Sequence, residues 1–292
     1  MRIARSAAAL AFALAACSAT TPAAGPGPTE TPQGSPTPSP SAVEIEATVT
    51  VFYSVSGQTG VYLAPERHRV LSTPRMARTA LDELMSSDPL DPDHRFVWPA
   101  RAQVRSLALS AGTATVDWSA DVLENPGVGS GAEVVAVQQI VYTLTAFPSI
   151  QRVRFLVEGK RTGAASNGSD IGSWWGHGTY TSRPLTRGEN ELEPVTVWSP
   201  DEGAHVRRTF TVTGEASTFE AAVGLRLVDP NGHEAQRTSA LASIGAPGRG
   251  SWSHVFTIPA SSPGGSWILE AFDSSEQDGS VTFRETRALA VN

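Results

Sequence analysis

Cys17 is the only thiol in the 292-residue chain, and so the one side chain able to carry a covalent sulfur linkage. Other nucleophile arrangements fail on spacing. The sole lysine, Lys160, has Val157 three places before it rather than serine, and no Gly-x-Ser-x-Gly elbow occurs. His68, His94, His177, His205, His233 and His254 are dispersed, without His-x-x-x-His or His-Glu-x-x-His spacing, so no zinc site is signalled. Gly127-Val128-Gly129-Ser130-Gly131 invites a phosphate-loop reading but lacks the lysine, and Ser130 reads as a helix cap. Asp88, Asp91 and Asp93, like Asp273, Glu276 and Asp278, could offer oxygens to calcium. They fall in Asp-Pro and Asp-Gly steps without the EF-hand pattern, which reads as solvated turns. The expectation is a chain with no catalytic residue, no metal and no cofactor.

The elements around Cys17 say where its chemistry would occur. Arg2 and Arg5 precede an apolar run from Ala7 to Ala16, which has the form of an export signal and is too short to span a bilayer. The run closes on Leu14-Ala15-Ala16-Cys17, which resembles the bacterial lipobox. That resemblance implies a diacylglycerol thioether on the cysteine, cleavage before it and acylation of the new N-terminus. Two acyl chains anchor stably, so residues 1–17 are expected to place the protein on the extracytoplasmic face of the cell membrane. Residues 18–43 are rich in Thr, Pro, Ser, Gly and Ala and cannot bury enough apolar surface to fold. At ~3.1 Å per residue in polyproline form they would make a stalk roughly 80 Å long.

Composition narrows the rest. With Cys17 in the signal region, the folded part has neither disulfides nor cysteine-ligated metal. The net charge of -7 and the pI near 5.4 argue against a nucleic-acid partner, which would need a clustered basic surface. The length beyond the stalk suits two domains of the usual size.

Residues 44–163 read as strand, strand, helix, strand, strand, helix, strand, an α+β layer sandwich. Val49, Val51 and Tyr53 alternate in strand fashion, and Ala77, Ala80, Leu81 and Leu84 recur at helical spacing behind Pro74. Ser130 and Glu133 have capping-box spacing, ahead of a core stripe of Val134, Val137, Ile140, Val141, Leu144 and Phe147. The stretches Gly112 to Ser119, Gln139-Ile140-Val141-Tyr142-Thr143-Leu144-Thr145 and Val153 to Gly159 resemble the signature of the GerMN domain of bacterial sporulation and germination proteins. The resemblance implies an extracytoplasmic, non-catalytic module associated with envelope assembly.

Residues 193–292 carry short strand candidates separated by turn signals, among them Asp229-Pro230-Asn231-Gly232 and Asp278-Gly279, at β-sandwich spacing. Ser199-Pro200, Val212-Thr213-Gly214, Thr218 to Ala221 and Glu270 to Ser275 resemble the immunoglobulin-like domain that often follows GerMN. The composition change at the linker, residues 164–192, leads us to expect two independently folding domains.

Two further features bear on function. Trp174 and Trp175 sit among glycines in the linker; they could stack on sugar rings of a cell-wall polymer, or tuck between the two domains. On the second helix, Val135, Gln139, Tyr142 and Ala146 lie opposite the core stripe, where a water-facing helix would be charged. Either the protein's own linker or second domain covers this strip, or another envelope protein docks there. The functional expectation is a non-enzymatic, lipid-anchored binding or scaffolding component of the envelope, with a cell-wall glycan-binding module built on Trp174 and Trp175 as the alternative.

Overall fold

A computed structural model describes residues 45–124, 126–127, 129–162, 174–175, 180–188 and 191–292. Cys17 and the stalk lie outside the described residues, and Glu44–Asn292 clusters as one compact unit. Among the described residues no helix is long and apolar enough to cross a membrane.

The first domain opens with a long antiparallel hairpin, β1 (Glu46–Ser56) against β2 (Val61–Leu71). After helix α1 (Met76–Ser86) come β3 (Val104–Ser110), β4 (Thr113–Trp118), helix α2 (Ser130–Thr145), β5 (Arg152–Val157) and the two-residue β6 (Lys160–Arg161). These last four strands form one sheet in the order β3-β4-β5-β6, with β4 and β5 parallel across α2. The helices pack against the hairpin, and α2 also touches the sheet through β5. Helix α2 is therefore an inner layer, and from Val135 to Leu144 it is buried without a break. That agrees with its sequence, since a helix apolar on all sides is a buried one.

Two details of the expected helices change. Pro74 lies in the turn before α1, whose N-cap is Arg75. Ser130 is the first residue of α2 rather than its cap: Gly129 holds the N-cap position, and its carbonyl accepts the Glu133 amide at 3.0 Å. The core stripe also excludes Val134, which is exposed, while Val135 is buried. Both faces of α2 carry apolar residues, so its burial does not follow a single stripe.

The second domain is a two-sheet sandwich. Strands β7 (Val195–Ser199), β9 (Thr209–Ala216) and β12 (Gly250–Thr257) form one sheet. Strands β8 (Ala204–Val206), β10 (Ala222–Val228), β11 (Glu234–Leu241), β13 (Gly265–Ser274) and β14 (Val281–Val291) form the other, in the order β11-β10-β13-β14-β8. The inward parity of β10 places Val223, Leu225 and Leu227 in the core, as alternation requires. Strands β8 and β11 escaped the sequence reading. The first is three residues long, and the second is an edge strand that buries Ala240 but no larger apolar side chain.

The two domains share packing, which departs from the independent folding expected. Val55 and Ala64, at the far end of the β1–β2 hairpin, belong to the sandwich core, and the Tyr62 ring meets Phe283 edge-on at 5.6 Å. The end of the linker joins them as well. Leu63 donates to the Glu191 carbonyl at 2.7 Å and Glu193 donates back to Leu63 at 3.0 Å, which lays this segment along β2.

Candidate functional site

Neither surface singled out from the sequence is free. Trp174 and Trp175 are 1% and 5% exposed and lie in the core of the first domain, not between the domains. Trp98 is the centre of their cluster: it stacks on Trp118 at 4.6 Å and meets Trp174 and Trp175 edge-on at 5.6 and 5.7 Å. The Trp175 indole donates to the Val122 carbonyl at 2.8 Å. With both faces packed and one donor engaged, the pair offers no platform for a sugar ring.

The strip on α2 is covered by the protein itself. Val135 and Tyr142 pack with Phe52 and Leu63 of the hairpin and with Leu192 of the linker. Gln139 is fully buried, its carbonyl oxygen accepting from the Val97 amide at 3.2 Å and its amide donating to the Arg95 carbonyl at 2.9 Å. Tyr142 donates to the Gly188 carbonyl at 2.8 Å, and the Arg187 guanidinium lies 4.7 Å from its ring centre. Ala146, at the C-cap, is exposed. Of the two readings of this strip, the structure therefore matches cover by the hairpin and linker. Tyr142→Phe should remove one buried hydrogen bond and lower stability by about 1 kcal/mol. A thermal melt indistinguishable from wild type would remove Tyr142 from this role.

The chemistry the sequence did not bring together lies at the domain junction. Glu66 on β2 is its organising carboxylate: Oε2 accepts from the Leu90 amide at 2.7 Å and pairs with His68 Nε2 at 2.7 Å. Oε1 accepts from the Asp91 amide at 3.1 Å and pairs with His94 Nδ1 at 2.6 Å. Burial works to raise the pKa of Glu66, but these four hydrogen bonds to the ionised form outweigh it and hold the group at about 2. They also fix the loop after α1. His94 donates its amide to the Asp91 carbonyl at 3.1 Å, closing a turn between the two residues.

The second domain answers with Glu285 and Arg287. Along β14, Phe283, Glu285, Arg287, Leu289 and Val291 share the buried face, so two charged residues stand where core residues would be expected. The Arg287 guanidinium pairs with Asp91 and with Glu285, and its second nitrogen donates to the Val197 carbonyl at 3.3 Å. His94 Nε2 is 3.9 Å from Glu285 Oε2, close enough for charge attraction and too far for a hydrogen bond. Burial works to lower the His94 pKa; the Glu285 and Glu66 carboxylates prevail and raise it to about 10. Glu193, fully enclosed beside them, is pushed well above the usual carboxylate range by burial and then by the Glu285 charge. Asp91 was read as part of a solvated turn and is instead 3% exposed. Asp278 does form the local turn expected of it, its side chain accepting from the Ser280 amide at 3.0 Å.

An α+β domain in layers, joined through a buried charged junction to an immunoglobulin-like β-sandwich, defines the architectural class of this protein. Residues 50–163 match the family described as sporulation and spore germination. Residues 194–280 match the immunoglobulin-like domain of bacterial spore germination. The chain thus matches, in order, a GerMN-like family model and the model of a germination-type immunoglobulin-like domain.

Among solved structures, it is similar to the tandem GerMN domains of the sporulation protein GerM from Bacillus subtilis, at 16% identity and a TM-score of 0.40. That match covers 54% of this chain and 51% of the other, so the chain spans about half the length of that structure. The first GerMN domain of the same protein is similar at 22% identity and a TM-score of 0.35, covering 50% of this chain and 97% of that one. A search of curated proteins finds no match.

Proposed function

We propose that this protein is a non-enzymatic lipoprotein, tethered through Cys17 on the extracytoplasmic face of the membrane, that serves as a binding or scaffolding component of the envelope in assemblies of the sporulation and germination type. The succession of a GerMN-like and an immunoglobulin-like germination domain carries this reading. The shared packing between the domains supports it, since a scaffold must hold its binding surfaces in fixed relation. The lipobox-like Leu14-Ala15-Ala16-Cys17 and the Pro-rich segment behind it support the tether.

Anchoring and scaffolding are tested separately. Cys17→Ala should leave the fold intact, block lipid attachment and shift the protein out of the membrane fraction; membrane association and processing equal to wild type would refute the tether. For scaffolding, a photo-crosslinking residue is placed at Leu109 on the first domain or Phe219 on the second, both 55% exposed. The expected product in cells is a discrete adduct with another envelope protein. Crosslinks to cell-wall glycan alone, or none at either position, would count against the scaffold.

A further inference from the structure

We propose that Asp91, His94 and Glu285 form a binding site for a divalent transition-metal ion, which would clamp the two domains together at their junction. One donor atom from each residue lies within 4.8 Å of the others, and all three side chains are buried. The first two come from the loop of the GerMN-like domain and the third from β14 of the sandwich.

The histidine carries the argument. Metal-bound imidazoles characteristically use one ring nitrogen for the ion while the other is held by a carboxylate or carbonyl. Here Glu66 holds Nδ1 at 2.6 Å. Glu66 is itself pinned by His68 and by the Leu90 and Asp91 amides, so the ring cannot easily turn. Nε2, on the far side, has no hydrogen-bond partner among the described residues, although His94 is 1% exposed. A buried nitrogen without a partner is costly, and this one points at the Glu285 carboxylate.

The carboxylates are similarly prepared. The Asp93 amide orients Asp91 by donating to its Oδ1 at 2.8 Å. Arg287 pairs with Asp91 Oδ2 and Glu285 Oε1, which leaves Glu285 Oε2 as the oxygen nearest to His94 Nε2. Each carboxylate offers several lone-pair sites, so guanidinium and ion can share the pair. Donor atoms around zinc stand about 3.4 Å apart for tetrahedral bonds of ~2.1 Å, which requires only a modest contraction here. A recess of about 40 Å³, lined by Glu66, Arg67, Asp201, Glu202 and Arg287, reaches Asp91. Mixed imidazole and carboxylate donors suit zinc and its neighbours rather than magnesium or calcium.

The test uses the full chain in detergent, stripped with a chelator and titrated calorimetrically with zinc chloride and, separately, magnesium chloride. One zinc per chain should bind and raise the melting temperature, with no binding of magnesium. His94→Gln and Glu285→Gln should each weaken zinc binding by at least about tenfold. Absence of zinc binding, or equal binding by wild type and His94→Gln, would overturn the site. Because a junction variant could fail to fold, X-ray absorption on the zinc-loaded wild type provides a second measure. One imidazole among oxygen ligands is expected, and two or more imidazoles would place the ion on other histidines and overturn the assignment.

Discussion

Arg287→Met is expected to lower the stability of the folded unit by about 3–5 kcal/mol, because it removes the guanidinium that pairs with both Asp91 and Glu285 and leaves His94 alone to balance the two buried carboxylates. The loss is a desolvation effect more than a lost attraction. Two carboxylates taken out of water need the positive charge that Arg287 supplies to both of them. The double variant Arg287→Met with Glu285→Met should therefore recover much of the loss, since an ion pair replaced by apolar side chains of similar size is often close to neutral. Chemical denaturation of wild type, both single variants and the double variant closes the cycle. A double variant as unstable as the sum of the singles would show that the charges act independently and that the junction is not a coupled cluster. The location of the effect is equally informative. Asp91 belongs to one domain and Arg287 to the other, so the variant should shift the melting of both together; two transitions, of which only one moves, would contradict the shared unit.

The architecture was legible in the sequence because its signals are local. Alternation in β1 and β10, the 3-and-4 spacing of α1 and the turn residues between strands each report on a few neighbouring positions, and they are consistent with one another. What was not legible depended on distance along the chain. For Tyr142 and Gln139, docking and internal cover stayed open alternatives because nothing in α2 announces that the β1–β2 hairpin, some ninety residues upstream, covers its second face. The Trp174–Trp175 pair looked like a linker feature because its neighbours Trp98 and Trp118 are far away in sequence. The junction is the extreme case, with Asp91 and Arg287 brought together across 196 positions. One signal was available even so: Glu285 and Arg287 alternate with Phe283, Leu289 and Val291, so charged residues occupy the apolar parity of a strand. Charge at core parity marks a place where the core is interrupted by something that answers it.

Trp98 gives the second large effect, and it bears on what the indole pair is for. The Trp98 ring is 6% exposed, contacts Trp118, Trp174 and Trp175, and donates its indole hydrogen to the Ala136 carbonyl of α2 at 2.8 Å. Trp98→Ala should cost about 3–5 kcal/mol, the usual range for deleting a large buried aromatic side chain. For a unit of this size that is a fall of roughly 6–20 °C in melting temperature. Trp98→Phe keeps most of the apolar volume and loses the hydrogen bond, so its cost should be distinctly smaller. The pair Trp174–Trp175 would then be read through the same variant. These rings are seated on Trp98, and Trp175 holds a φ of 43° that a residue with a side chain rarely adopts without support. Removing their seat should expose the two indoles to solvent and shift the tryptophan emission to the red. If Trp98→Ala melts like wild type and the emission does not shift, the aromatic cluster is not what holds the two rings, and the indoles would again be candidates for a ligand.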